Sequence, residues 1–145
     1  MKKYQEINSE TIDRWVKEGW EWGVPISHEE YLESLNGNWK VLLTPTKEMP
    51  KHWFPSSIKG LKLLGLASGG GQQMPIFKAL GADVTVLDYS KEQLKSEELV
   101  AERENYKINI VHYDMTKKFP FNDESFDIIF HPGSNVYVED VNHIF

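Results

Sequence analysis

The 145 residues carry a formal net charge of −6, with 40% apolar residues, 12% aromatics and no cysteine. That length fits one ordinary domain, and the apolar share is enough for a packed core. The acidic balance argues against a protein that grips nucleic acid through a basic face. The lack of cysteine excludes disulfides and thiolate metal sites, and no run is apolar enough to span a bilayer.

Met1-Lys2-Lys3 resembles the start of a leader, but Tyr4 to Asp13 is polar and supplies no apolar stretch, so the expectation is a soluble, cytoplasmic protein without a membrane partner. Two compositional zones meet near Gly60. Residues 1–60 read as a helical extension and residues 61–145 as an α/β core.

In the first zone, Ile12, Trp15, Val16 and Trp20 fall at helical spacing, with Asn8 or Ser9 as the N-cap. Ser27 and Glu30 form a capping box ahead of Tyr31, Leu32 and Leu35, and Gly37 is a natural stop. Trp39 to Pro55 holds Pro45, Pro50 and Pro55 and reads as an extended connector. Past Gly60, Leu61–Leu66 is a strand, and Gln72–Leu80 is a helix with Pro75 in its first turn and Gly81 at its end. Asp83–Asp88 is a second strand. Ser90 and Gln93 then cap a helix carrying Leu94, Leu99, Val100 and Ala101. Ile108–Tyr113 and Phe126–Phe130 complete four strands, and a helical segment begins near Val136. Such alternation calls for an open, doubly wound parallel sheet with its ligand at the carboxyl ends of the strands.

The chemistry concentrates in residues 63–71, Leu-Leu-Gly-Leu-Ala-Ser-Gly-Gly-Gly, a buried strand entering a glycine turn, with Asp88 nineteen positions beyond Gly69. Gly69, Gly70 and Gly71 have no Cβ to hold a nucleotide-type ligand away from their amides. A dinucleotide fingerprint begun at Gly69 places Met74 where a third glycine belongs, which is wrong for close helix packing. Begun at Ala67, the spacing instead gives small residues at 67, 69 and 71.

With Asp88 closing Val-Thr-Val-Leu-Asp, Asp114 in His-Tyr-Asp-Met, and Phe126-Asp127-Ile128-Ile129-Phe130 as an apolar strand, the span from Leu61 to Phe130 resembles class I S-adenosylmethionine-dependent methyltransferases. The resemblance implies a Rossmann-like sheet of seven strands, of which about four are countable. It also implies S-adenosylmethionine as cofactor, held by Ala67, Ser68, Gly69, Gly70, Gly71 and Gln72 of the turn. Asp88 with Tyr89 would take the ribose hydroxyls, and Asp114 the adenine amine, with Met115 and Leu87 against the ring. His131 and Asn135, after the fourth strand, would lie beside the reactive methyl and orient an acceptor or accept a proton. The plainer alternative is that Pro132 to Asn135 forms a turn and His131 fills space.

One departure is Gly65, where many relatives carry an acidic residue that helps hold the methionine ammonium. Tyr4, Trp15, Trp20 and Trp22 suggest either an aromatic lid over the sulfonium or packing of the first helix onto the sheet. The five histidines form no tight ligand pair, so no metal is expected.

Four strands and an ending at Phe145 suggest the N-terminal portion of a longer methyltransferase, with Ile128, Ile129 and Phe130 exposed at a sheet edge that would allow a homodimer. The expected partner is a small-molecule methyl acceptor, not nucleic acid. Two other readings stand beside it: a non-catalytic binding or assembly module with a methyltransferase-like sheet, and an NAD-dependent oxidoreductase, disfavoured by Met74.

Overall fold

The structure is a computed structural model that describes residues 3–19, 24–44, 47–117, 120–121 and 125–131. In the first zone, helix α1 spans Tyr4–Lys17 and helix α2 spans His28–Leu35. The Ser27 side chain caps α2 by accepting from the Glu30 N–H at 3.1 Å, as its spacing with Glu30 predicts. Helix α1 begins earlier than Asn8 or Ser9 would place it, with Lys3 at the N-cap and no side-chain capping bond. Ser9 is drawn away from local capping by a tertiary partner, donating its hydroxyl to the Tyr89 carbonyl at 2.5 Å.

The expected connector is only partly extended. Strands β1 (Leu42–Thr44) and β2 (Lys47–Glu48) pair antiparallel, and a 3-10 turn follows at Lys51–Trp53.

The second zone runs β3 (Lys62–Leu66), α3 (Met74–Ala79), β4 (Asp83–Asp88), α4 (Lys91–Glu104), β5 (Asn109–His112) and β6 (Ile128–Phe130). These four strands form one all-parallel sheet in the order β5-β4-β3-β6. Successive side chains of a strand point to opposite faces, so strands buried on both sides need the nearly continuous apolar runs seen here. Leu63, Val84, Val86 and Phe130 join a core with Met74, Ile76 and Phe77 of α3 and Leu94 of α4. Leu64, Leu66 and Leu87 form a second cluster with Met115, backed by Val111, Phe121 and Phe126. Phe77 is fully buried, edge-on to Phe130 at 5.1 Å between ring centroids. Burying such a ring is worth about 1.5–3 kcal/mol.

Short polar contacts fix the register and the helix ends. Asp127, just before β6, accepts the Lys62 N–H on its carboxylate at 2.8 Å and donates its own N–H to the Lys62 carbonyl at 2.8 Å, locking β6 onto β3. Ser90 caps α4 by accepting from the Gln93 N–H at 3.2 Å, and Asn105 closes the helix in the left-handed region at φ 58°.

Leu99 faces solvent, and of the three β6 residues only Ile129 is strongly exposed, because Ile128 and Phe130 turn onto the α3 core. Among the described residues β6 is paired on one side only. Trp20, Trp22, Asn135 and the helix expected from Val136 lie outside the described residues.

Candidate functional site

A parallel sheet gathers the carboxyl ends of its strands on one edge, and here that edge carries the turn after β3, the β4–α4 junction and the loop after β5. Ala67 leaves β3 in the left-handed region, at φ 52°, while its N–H donates to the Leu87 carbonyl at 2.7 Å. The three glycine amides that follow all turn toward the β4–α4 segment. Gly69 donates to Asp88 Oδ2 at 3.0 Å, Gly70 to the Gln93 carbonyl at 3.0 Å, and Gly71 to Glu97 Oε1 at 2.8 Å.

The glycines are therefore needed for close approach to protein rather than for open amides facing a ligand. A Cβ at Gly69 would lie 2.9 Å from Gln93 Cβ, and one at Gly71 would lie 2.9 Å from Pro25 Cβ. Contacts that short do not occur without displacement of the neighbour.

Asp88 and Asp114 are brought to one cleft. It holds about 480 Å³ of space, part of it open to solvent, and Ala67, Leu87, Tyr89 and Met115 also line it. Asp88 is buried, and it accepts the Gly69 N–H on one oxygen and the Ser90 N–H at 2.9 Å on the other. The carboxylate still has room to accept from a hydroxyl donor. Burial pushes the Asp88 carboxyl above its usual range, and amide bonds from Ser90, Gly69 and Tyr89 oppose that, while the nearby charge of Asp13 adds to it. Asp114 is buried too, with Oδ1 occupied by the Thr116 N–H at 2.9 Å and hydroxyl at 2.7 Å.

The opposite wall is helix α1, whose role as a wall has no signal in local sequence. Gln5, Asn8, Ser9 and Ile12 line the cleft. Gln5 donates to Thr116 Oγ1 at 3.1 Å, and its own Oε1 is buried there without a partner. Asp13 Oδ1 accepts from the Ser90 hydroxyl at 2.5 Å and the Glu92 N–H at 3.1 Å, so α1 supplies a second cap to α4. Polar and aliphatic side chains form this wall; Tyr4 and half-buried Trp15 do not line it, and Trp20 and Trp22, the other two residues of the aromatic-lid reading, lie outside the described residues. The helical spacing of Ile12, Trp15 and Val16 marks a half-buried face, but not which loops that face meets.

The remaining expected residues lie outside the cleft lining. The Ser68 hydroxyl donates to the Leu66 carbonyl at 3.1 Å and Gln72 Nε2 to the Val24 carbonyl at 2.8 Å, so both bind the protein's own backbone. His131 Nδ1 donates to the Leu66 carbonyl at 2.9 Å, which orients the ring at the carboxyl end of β3. Asn135 lies outside the described residues. At Gly65 an added Cβ would lie 2.3 Å from Met74 Sδ, so the thioether occupies the place an acidic side chain would take. Among the described residues no cluster of His, Asp and Glu could hold a metal ion, and no helix is long and apolar enough to cross a membrane.

Known proteins share this fold and part of this sequence. The profile of the family described as "Methyltransferase domain" matches residues 64–145. An uncharacterised methyltransferase of Bacillus subtilis, YbaJ, is 50% identical over 134 residues, which is 92% of this chain and 52% of that protein, so the chain spans about half the length of this curated relative. A Methanococcus maripaludis structure described as a putative S-adenosylmethionine-dependent methyltransferase covers 100% of this chain and 57% of its own, with a TM-score of 0.57 at 19% identity. A phosphoethanolamine N-methyltransferase 2 from Haemonchus contortus, solved with phosphomonomethylethanolamine and S-adenosylhomocysteine, covers 99% of this chain and 32% of its own, with a TM-score of 0.67 at 17% identity. The two structures share the fold, and the family match together with the YbaJ identity shows the lineage. The chain belongs to the class I S-adenosylmethionine-dependent methyltransferases.

Proposed function

We propose that the cleft between α1 and the carboxyl ends of β3, β4 and β5 binds S-adenosylmethionine, and that this binding serves methyl transfer to a small-molecule acceptor. The carrying observation is the convergence of Asp88 and Asp114 on one cleft that Leu87 and Met115 also line. The residues fit the cofactor: Asp88 keeps acceptor capacity for a ribose hydroxyl beside its backbone bonds, and the buried, unpartnered Gln5 Oε1 offers an acceptor on the facing wall.

The bound cofactor supplies a sulfonium whose methyl departs without covalent help from the protein. This chain's part is then positional. Asp88 orients the ribose, Asp114 and Met115 hold the base, and α1 limits the entry of water. His131, held by the Leu66 carbonyl, faces the same sheet edge and is assigned to acceptor orientation. The acidic net charge of −6 supports a small-molecule acceptor over nucleic acid.

Calorimetry with S-adenosylmethionine, S-adenosylhomocysteine and NAD tests this assignment. Both adenosyl ligands should bind and NAD should not; binding of NAD alone would overturn it.

A further inference from the structure

Beneath the glycine turn lies a carboxyl group that the cofactor cleft does not use. Glu97, in the middle of α4, is fully buried and absent from the cleft lining. Its Oε1 accepts the Gly71 N–H at 2.8 Å, while its Oε2 is buried with no partner. The same glycine is held from above, since its carbonyl accepts the Ile26 N–H at 2.9 Å and a Cβ on it would meet Pro25, Ser96 and Val100 within about 3 Å.

We propose that Glu97 is a positioning residue of the cofactor site: without touching the ligand, its carboxyl fixes the last amide of the glycine turn and thereby sets cofactor affinity. This rests on the cofactor assignment above. Asp88 and Glu97 hold the two ends of the same turn, at Gly69 and Gly71, so a shift at one end moves the ribose-side carboxylate at the other.

The surroundings decide the charge state. Asp88 on β4 and the Tyr106 phenol beyond α4 face Glu97, and beyond Tyr106 lie Tyr31 of α2, Glu104 and Arg103 of α4, and Lys78 over the Tyr106 ring. Burial, aided by the Asp88 charge and opposed by the Gly71 N–H, pushes the Glu97 carboxyl up to about 8. It is therefore protonated at neutral pH. Ionising it places a second negative charge near Asp88 with one oxygen lacking a donor, a state relieved only if the turn opens to water. Cofactor affinity accordingly falls as pH rises through about 8.

Binding of S-adenosylhomocysteine and hydrogen exchange at Gly71 are measured for the parent, Glu97→Gln and Glu97→Leu at pH about 6.5 and about 9. Glutamine keeps an acceptor for Gly71 and cannot ionise. It should match the parent at the lower pH and hold its affinity at the higher, where the parent weakens about fivefold. Leucine leaves a buried N–H unpaired, so it should weaken binding about five- to tenfold at both pH values and speed Gly71 exchange.

Parallel pH profiles for parent and Glu97→Gln, or parent-like binding and exchange in Glu97→Leu, overturn the proposal. If the parent binds no adenosyl ligand, the cofactor assignment fails; faster Gly71 exchange in Glu97→Leu that Glu97→Gln restores still supports Glu97 as the anchor of the turn, and unchanged exchange overturns it.

Discussion

At the scale of single residues, Asp88 carries two duties that one substitution separates poorly. It accepts from the Gly69 and Ser90 amides, and it faces the cleft. Asp88→Ala is expected to weaken S-adenosylhomocysteine by about 1.5–3 kcal/mol through loss of charge-assisted bonds. Asp88→Asn should weaken it less, because one amide oxygen still accepts from the turn; calorimetry on the pair reads the difference. Gly65 makes a different point. Its missing Cβ is what lets Met74 lie across β3, so Gly65→Ala should cost about 1–3 kcal/mol as overpacking. Combining it with Met74→Ala should cost less than the sum of the two changes, a non-additivity that denaturant unfolding of the four variants measures.

At the scale of elements, the N-terminal zone behaves as a strap over the sheet edge. Ser9 reaches the Tyr89 carbonyl, Gln5 reaches Thr116, and Asp13 reaches Ser90 and Glu92, so α1 joins the loops after β4 and β5. Further along, Gln72 bonds the Val24 carbonyl and Arg103 the Ile26 carbonyl at 2.8 Å, fastening residues 24–26 between the glycine turn and the end of α4. Asp13→Ala removes a cap as well as a strap. It should destabilise by about 1 kcal/mol, the usual worth of a cap. Because α1 is a cleft wall, the same change should speed proteolytic cleavage within residues 4–17 and lower adenosyl-ligand affinity. Unchanged cleavage would show that α1 is held by its apolar face alone.

At the scale of the whole molecule, buried carboxyls set how stability varies with pH. Burial alone would raise Glu104, but the hydrogen bonds and charges of Arg103 and His28 hold it below the usual carboxylate range, at 2.7 Å from each. A depressed carboxyl stabilises above its unfolded value, and that contribution is lost as pH falls through its folded value. Glu97 acts in the opposite direction. The folded state keeps its proton to about 8, whereas the unfolded chain releases it near 4.5, so stability declines as pH rises across that window and levels off above it. Melting temperatures between pH about 3 and about 9 should therefore show a maximum on the mildly acidic side. Glu97→Gln should flatten the alkaline limb and Glu104→Gln the acid limb.

Much of the fold was legible because its signals are local. Apolar runs of strand length, the Ser27 and Ser90 capping pairs and the Pro75–Gly81 brackets each lie within a few residues of what they specify. Asp88 and Asp114 stood out for the same reason, each closing a strand. Less could be read where partners lie far apart in the chain. Ser9 looks like a cap until Tyr89, eighty residues on, claims its hydroxyl. Glu97 looks like a solvated helix residue until Gly71 folds over it.

The sequence by itself determined the α/β alternation, the glycine turn and the carboxylates at its strand ends, because periodicity, capping and turn chemistry act between neighbours. Only the tertiary structure decided that the turn's amides point into α4, that α1 walls the cleft and that Glu97 is buried. Those outcomes depend on which distant surfaces exclude water from one another, and no local pattern records that.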